Sequence, residues 1–240
     1  MSGGPWDSHA GWWQRQFTDG VDPEYQEQIL PLVEELTLGF DKVLDIGCGE
    51  GQVTRALPSK PSRVVGVDPS WKQVSKALER SVGEVYIQAS ADELPLVSGA
   101  FDAAVACLVF EHITEMREAV AEVARILKPG GRFVFLLNHP LLQTPGSGWV
   151  EDYPSDPPSQ YWRIGQYLVE QETLEEVELG VEISFVHRPL SVYLNALAEN
   201  ELMLKRMVEP APPEGFLERN VAYRSASHIP RLLVLVCEKQ

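Results

Sequence analysis

The sequence predicts an α/β protein in which helices cover both faces of a largely parallel sheet. Short apolar runs alternate with segments of helical periodicity as far as Leu137. The first run, Lys42 to Ile46, leads into a glycine-rich turn and the start of a helix, and an acidic residue, Asp68, ends the second run. Together these observations predict a doubly wound sheet with a ligand cradle at the ends of its first two strands.

The glycine turn has the spacing G-x-G-x-G, formed by Gly47, Gly49 and Gly51. Glycine permits positive φ angles and lets a ligand approach the backbone without meeting a Cβ atom. A dinucleotide-binding turn has the spacing G-x-G-x-x-G, but Gln52 stands where its third glycine would be. This spacing therefore disfavours a nicotinamide dehydrogenase, although a purely structural turn remains an alternative.

Length and charge limit the classes of function. The chain has 240 residues, of which 44% are hydrophobic, and this predicts a single domain spanning 1–240. Its formal charge of -15 and pI near 4.7 argue against general nucleic-acid binding, which requires a basic surface.

Cysteines and apolar runs indicate the compartment. Cys48, Cys107 and Cys237 are too few and too scattered for a disulfide framework or a zinc site, so we expect no metal. The first residues contain no apolar run of the kind found in a leader, so none is expected, and no apolar run in the sequence is long enough to cross a bilayer. We therefore expect a cytoplasmic protein that does not associate with membranes.

Periodicity and turn signals predict the other elements. Helices are expected over Pro23 to Leu36, Trp71 to Arg80, Arg117 to Leu127 and Pro189 to Asn200. Strands are expected over Arg63 to Asp68, Glu84 to Gln88, Phe101 to Val109, Arg132 to Leu137, Leu202 to Val208 and Arg231 to Cys237. Residues from Asn138 to about Gln160 are expected to be irregular, and Tyr161 to Glu172 to pair with Val181 to His187 as a hairpin.

Several of these motifs together resemble the class I S-adenosylmethionine-dependent methyltransferases, small-molecule members of methyltransferase type 11 in particular. The resemblance covers about Asp41 to Leu137 and rests on the glycine turn, the acidic strand end at Asp68, the segment A-S-A-D-E-L-P, the F-D strand and the strand entry L-K-P-G-G-R. It implies a Rossmann-like sheet of seven strands in the order 3-2-1-4-5-7-6, with the last strand antiparallel. It also implies S-adenosyl-L-methionine as cofactor and methyl transfer as the reaction.

The resemblance assigns roles around the cofactor. Asp68 is expected to accept from both ribose hydroxyls, and Asp45 to order the loop and to hold the methionine amino group directly or through water. A role for Asp45 in capping the loop alone is the alternative. The other residues expected at the cofactor are Gly47, Cys48, Gly49, Gly51, Pro69, Ser90, Ala91, Asp92, Cys107, Leu108 and Val109.

The same comparison divides the domain into four parts. Residues 1–40 are expected to form N-terminal helices, with a possible flap over the cofactor, and 41–137 the cofactor-binding core. Residues 138–188 form an insertion after the fifth strand that is expected to cover the acceptor pocket, and 189–240 supply the closing helix and strands.

The acceptor is expected to be a small, partly apolar organic molecule. The insertion mixes Trp149, Tyr153, Tyr161 and Trp162 with Asp152 and Asp156. If the acceptor is a hydroxyl, His139 is the preferred base and His112 the second candidate, because each follows a strand near the cleft. The oligomeric state is expected to be a monomer or homodimer. Methylation of protein or RNA, and cofactor binding without catalysis, are the alternatives.

Overall fold

The structure is a computed structural model and describes residues 5–60, 63–154, 159–219 and 227–240. Helix α1 (Pro5–Phe17) is followed by a π-helical turn (Tyr25–Ile29) and by α2 (Leu30–Thr37). The glycine turn lies between β1 (Val43–Ile46) and α3 (Gln52–Ala56). Positive φ angles of 68°, 53° and 86° at Gly47, Gly49 and Gly51 confirm that this turn requires glycine.

The remaining core elements alternate as predicted. They are β2 (Val64–Asp68), α4 (Trp71–Arg80), β3 (Val85–Gln88), β4 (Phe101–Cys107), a 3-10 turn (Phe110–His112), α5 (Met116–Ile126) and β5 (Leu127–Asn138). Strand β4 ends two residues earlier than predicted, because Leu108 adopts a positive φ of 55° and starts a turn.

Among the described residues, seven strands form one sheet. Its order is β3-β2-β1-β4-β5-β11-β10, with β10 spanning Leu202–Val208 and β11 spanning Leu232–Lys239. The first five strands in this order are parallel to one another, and β11 is antiparallel to both β5 and β10. The predicted fold class, strand order and antiparallel last strand are confirmed.

The sheet is buried on both faces, which explains the almost uninterrupted apolar sequence of its central strands. All four residues of β1 are buried, and six of the seven residues of β4 are buried. One apolar cluster contains Val120 of α5 and Leu197 of α7 (Leu190–Glu199), whereas another contains Ile29 and Val33 from the N-terminal helices. Strand order reverses between β1 and β4, and the carboxyl ends of these strands open the crevice used for ligands in such sheets.

The insertion differs from the prediction. Residues expected to be irregular form α6 (Pro140–Gln143) and a hairpin of β6 (Gly148–Asp152) with β7 (Ser159–Arg163). Trp149 and Trp162 face each other across this hairpin, edge to face, with ring centroids 5.4 Å apart. Such cross-strand aromatic pairs favour strands despite the surrounding glycine and proline residues.

The second hairpin also has a different first strand. Strand β9 (Val181–His187) pairs with β8 (Gln171–Glu178) rather than with the predicted Tyr161 to Glu172. The acidic run Glu175 to Glu178 fits into β8 because its side chains remain exposed in a two-stranded sheet. Helix α8 (Glu214–Glu218) lies between β10 and β11.

Candidate active site

The glycine turn is held tightly against the end of β2. The backbone N–H groups of Gly47 and Cys48 both donate to the Val67 carbonyl, at 2.8 and 2.9 Å. A Cβ atom added at Gly47 would lie 2.4 Å from a methyl carbon of Val109, and one at Gly51 would lie 2.5 Å from the Tyr86 hydroxyl. Both the backbone angle and the close packing therefore require glycine at these positions.

Asp68 links the turn to the start of α4. One carboxylate oxygen accepts from the Gly49 N–H and the other from the Ser70 N–H, each at 2.9 Å. Burial raises the pKa of Asp68 to about 6, although these two hydrogen bonds oppose the shift. Each oxygen retains a further lone pair with which to accept from a ligand.

Asp45 is a second buried carboxylate in the same cleft. Its oxygen Oδ2 accepts from the Thr54 hydroxyl at 2.6 Å. Burial raises its pKa to about 7, with Asp68 adding a smaller repulsive contribution. A cationic ligand group nearby would favour its ionised form, because an opposite charge stabilises a carboxylate.

These residues line a cavity with a volume of about 250 Å³ at the carboxyl ends of β1, β2 and β4, hereafter the cofactor cavity. Of the residues predicted at the cofactor, all except Gly51 line it. Gly51 instead lies behind the turn, against Tyr86. The Ser90 hydroxyl donates to the Asp92 carboxylate, so these two predicted residues form a pair at the edge of the cavity.

The N-terminal helix borders the cofactor cavity, and its role as a flap stays a prediction. Trp6 and Trp13 of α1 line the cavity. The helix is fixed to α4 because Asp7 accepts from the Ser70 hydroxyl at 2.5 Å and from the Lys72 N–H at 3.2 Å. The hydrogen bond from Ser70 is the main reason that the pKa of Asp7 is lowered.

Glu50 is a lining residue of the cofactor cavity that sequence reasoning missed. Its carboxylate is 1% exposed and accepts from Arg55 at 2.9 Å and Arg80 at 2.6 Å. Two arginines therefore compensate the buried charge and fasten the glycine turn to α3 and α4. The acidic residue between two glycines of the turn was the available signal. Its partner Arg55 is only five residues away, but its partner Arg80 is 30 residues away.

A second cavity is lined in part by the insertion and has a volume of about 790 Å³; it is called the acceptor cavity hereafter, after the prediction that the insertion covers an acceptor pocket. Its walls come from α1, the π-helical turn, both hairpins and the C-terminal segment. The aromatic residues that line it are Trp12, Trp13, Phe17, Tyr25, Trp149, Trp162, Phe185 and Phe216. Of the aromatic residues predicted for this pocket in the insertion, Trp149 and Trp162 line it. Tyr153 and Tyr161 do not line it and are exposed, and Asp156 lies outside the described residues.

The two cavities share four residues: Trp13, Tyr25, Leu108 and His112. Leu108 stands directly after β4 with φ of 55°, a strained angle for a bulky side chain and one typical of functional sites. Burial raises the pKa of the Tyr25 phenol well above its usual value, so this hydroxyl stays protonated. These four residues, hereafter the junction of the cavities, border both cavities and combine apolar surface with a hydroxyl and an imidazole group.

His112 occupies this junction with one ring nitrogen engaged. Its Nδ1 lies 2.8 Å from the Ser184 carbonyl oxygen of β9. The ring packs against Trp6 and Phe185, with centroid distances of 4.9 and 4.6 Å. Because a carbonyl only accepts, Nδ1 carries the proton, and Nε2 of the neutral ring is left as an acceptor.

His139, predicted as the preferred base, lies elsewhere. It lines neither cavity, and both of its ring nitrogens have protein partners. Nδ1 accepts from the Leu141 N–H at 3.2 Å and so caps α6, while Nε2 lies 2.8 Å from the Glu209 carboxylate. Because its ring caps α6 and lines neither cavity, the geometry favours His112 over His139 as a base, and a catalytic role for either histidine stays a prediction.

The described residues include no group of three or more potential metal ligands, and none of their helices is long and apolar enough to cross a membrane.

Comparisons with known proteins agree with this geometry. The family model described as "Methyltransferase domain" matches residues 44–135. A solved S-adenosylmethionine-dependent methyltransferase from Mesorhizobium loti superposes with a TM-score of 0.71 at 25% identity, covering 88% of this chain and 96% of that one. Residues 44–135 are a methyltransferase domain. The predicted family, the class I S-adenosylmethionine-dependent methyltransferases, is confirmed, and with it the predicted cofactor type.

Curated relatives match this chain over shorter stretches. An O-methyltransferase from Penicillium expansum is 31% identical over 57% of this chain and 54% of its own length. A demethylmenaquinone methyltransferase from Thermotoga maritima is 31% identical over 49% of this chain and 51% of its own length. The chain thus spans about half the length of these relatives, which leaves its acceptor open.

Proposed function

We propose that this protein transfers a methyl group from S-adenosylmethionine to a small, partly apolar organic acceptor by in-line displacement. The observation that carries this proposal is the junction of the two cavities at Trp13, Tyr25, Leu108 and His112. A methyl donor in one cavity and an acceptor in the other would meet only there. Holding two reactants in this way supplies roughly 7–11 kcal/mol of the barrier in favourable cases.

The residues of the cofactor cavity fit this cofactor. Asp68 offers paired acceptors for the vicinal ribose hydroxyls, and Asp45 offers a buried carboxylate for the ammonium group. Cys107, Leu108 and Val109 supply the apolar wall on the methionine side. S-adenosylmethionine brings a methyl group already activated on a sulfonium, which an acceptor atom displaces as the carbon–sulfur bond breaks.

His112 is the proposed base for a hydroxyl acceptor, in place of His139. Its Nε2 is left to take the acceptor proton because Nδ1 donates to the Ser184 carbonyl. The indole rings of Trp6 and Trp13 border the same space and keep water away from it.

The acceptor cavity favours an organic molecule over a protein or RNA substrate. Its lining is dominated by aromatic rings, as is typical of small-molecule sites. The charge of -15 disfavours a nucleic-acid substrate. The relatives named for demethylmenaquinone and for O-methylation support the same class of acceptor.

The test combines binding with turnover. Calorimetry should detect S-adenosylmethionine binding, and mass spectrometry should detect S-adenosylhomocysteine release with some member of a panel of phenols, catechols, hydroxyquinones, carboxylates and amines. Binding without release on any acceptor would support a non-catalytic module. If labelled methyl groups from the cofactor were found only in the protein or RNA of a cell extract, this would support a methyltransferase that acts on protein or RNA.

The base is tested with a matched pair of histidine variants once an acceptor is known. His112→Asn should lower kcat by roughly 10²–10⁴ on a hydroxyl acceptor, which is the usual contribution of a general base. His139→Asn should change kcat less than about tenfold, because asparagine also caps a helix. The opposite ranking of these two variants would return the role of base to His139.

A further inference from the structure

The turn that carries His112 is held by hydrogen bonds with the end of the second hairpin and with Arg188, which directly follows it. We propose that the segment Ser184–Arg188 positions His112, with Arg188 as the positioning residue, so that the neutral ring keeps its proton on Nδ1 and presents Nε2 to the junction of the cavities. The catalytic meaning of this arrangement rests on the function proposed above, but the arrangement itself rests on contacts of the protein alone.

Arg188 holds the turn through its backbone. Its guanidinium donates to the Phe110 carbonyl at 3.1 Å, to the Ile113 carbonyl at 2.7 Å and to the Thr114 carbonyl at 3.0 Å. These three acceptors lie on either side of His112 in the sequence. A guanidinium presents its donors in a rigid planar fork, so the three bonds together fix the path of the turn.

The Arg188 side chain is buried, so these three hydrogen bonds are needed to satisfy its charge. The Arg188 side chain is 5% exposed, and its nearest carboxylate, in Glu170, lies 3.9 Å away. A buried charge without a close counter-ion is costly unless polar groups satisfy it. The carbonyl groups of residues 110, 113 and 114 satisfy the charge of Arg188. The conformation of the arginine therefore depends on the turn, and that of the turn depends on the arginine.

The same chain segment fixes the ring of His112. The Ser184 carbonyl accepts from Nδ1, and the Phe185 ring packs against the imidazole. Both residues belong to β9, and Arg188 directly follows its last residue, His187. A change in the position of this short segment would therefore move the backbone of the turn and the partner of the ring together.

This arrangement connects the base to the acceptor cavity. Val177 and Glu178 of β8 and Ile183 and Phe185 of β9 line that cavity. The hairpin that lines the acceptor cavity thus also determines which nitrogen of His112 is free. Neither element alone provides this, because the turn lies after β4 and its partner carbonyl lies in the insertion.

The test reads the tautomer directly. Protein labelled with ¹⁵N-histidine is studied by long-range ¹H–¹⁵N correlation at about pH 8.5, where an ordinary imidazole is neutral. Among the five histidines, His112 is assigned by the signal lost in His112→Asn. We expect the Nδ1–H tautomer in the unmodified protein. An Nε2–H tautomer there would overturn the proposal without any variant at residue 188.

Arg188 variants then test the positioning role. Arg188→Gln should give a mixture of His112 tautomers, with S-adenosylmethionine affinity within about twofold and kcat at least about tenfold lower. Arg188→Lys keeps the charge but loses the planar fork of donors. Its tautomer mixture and its kcat should therefore lie between those of the unmodified protein and those of Arg188→Gln. Arg117→Gln is the control, because Arg117 is exposed and its ion pair, with Glu199, lies at the surface. It should leave both tautomer and kcat unchanged.

The outcomes separate this inference from the proposed function. An unchanged His112 tautomer in folded Arg188→Gln, or in folded Arg188→Lys if the glutamine variant does not fold, overturns the positioning role whatever the turnover. A shifted tautomer in Arg188→Gln combined with full activity in His112→Asn upholds the positioning of the ring and removes His112 as the base.

Discussion

Removing the charge of Asp68 should weaken cofactor binding without unfolding the protein. The perturbation is Asp68→Asn, which keeps the shape of the side chain. One oxygen remains to accept from either the Gly49 or the Ser70 N–H, and the new amide group faces the other. The ribose loses a charged acceptor, and a hydrogen bond to a charged group contributes roughly 1.5–3 kcal/mol. We therefore expect the Kd for S-adenosylmethionine to rise by about 10- to 150-fold.

Stability should change much less than affinity. The pKa of Asp68 rises from 3.8 to about 6 in the folded protein, which corresponds to a cost of roughly 3 kcal/mol for the buried charge near neutral pH. This cost is already net of the two hydrogen bonds. Asparagine avoids it but leaves one of the two N–H donors without an acceptor, which costs roughly 1–3 kcal/mol, so the two effects nearly cancel. Urea denaturation of the apo protein should show a change of about 1 kcal/mol or less.

The assay is calorimetry across pH. Binding requires the ionised carboxylate, so lowering the pH through about 6 should weaken binding to the unmodified protein. That part of the pH dependence should disappear in Asp68→Asn. Asp41→Asn is the control, because this exposed carboxylate lies at the surface, 3.6 Å from Arg63. Equal Kd values for Asp68→Asn and the unmodified protein, with both folded, would refute a ribose contact at Asp68.

Three further predictions concern the turn, the insertion and pH. Gly47→Ala should abolish detectable cofactor binding, because the new methyl would lie 2.4 Å from Val109 at a φ of 68°, and calorimetry checks this. Replacing residues 147–164 by a glycine-serine linker should keep the cofactor Kd within about threefold but abolish turnover, since this hairpin contributes to the acceptor cavity alone. The apo protein should lose unfolding free energy as pH rises from 3.8 through about 7, because the folded state holds the Asp45 proton more tightly than the unfolded state does. Urea denaturation should show this loss, and Asp45→Asn should reduce it.

The sheet could be predicted because its signals are local. Each parallel strand is a short apolar run, and each is separated from the next by a turn or by a segment of helical period. Strand order came from the resemblance rather than from periodicity, and the structure confirms it. The glycine turn was equally accessible, since positive φ angles at Gly47, Gly49 and Gly51 follow from the turn that joins a strand to a helix.

The insertion could not be predicted because its strands are stabilised by pairing rather than by burial. The strand around Trp149 was hidden among glycine, proline and aspartate residues, and its partner around Trp162 was assigned to the wrong hairpin. Strand β8 is almost entirely exposed, so the apolar alternation that identifies a strand is absent from it. In such two-stranded ribbons the register depends on cross-strand contacts, which sequence spacing alone does not reveal.

The histidines show the same limit within the site. His139 and His112 each follow a strand of the sheet, and sequence position ranked His139 first. The difference lies in their partners: His139 caps α6 and contacts Glu209, whereas His112 meets a carbonyl of the insertion 72 residues away. A base requires one free nitrogen, and only the tertiary contacts decide which histidine keeps one.

The residues of the cofactor cavity were easier to predict from the sequence than those of the acceptor cavity. The cofactor cavity is lined mainly by residues at the ends of successive strands between Asp45 and His112, so short contiguous motifs contain most of its functional groups. The acceptor cavity joins α1, two hairpins and the C-terminal segment around a few residues of the core. If the proposed function holds, changes in those peripheral segments should alter the choice of acceptor without affecting Asp45 or Asp68. The exception is β9, because its Ser184 carbonyl and the adjoining Arg188 also hold His112, so changes there should affect the rate as well as the choice of acceptor.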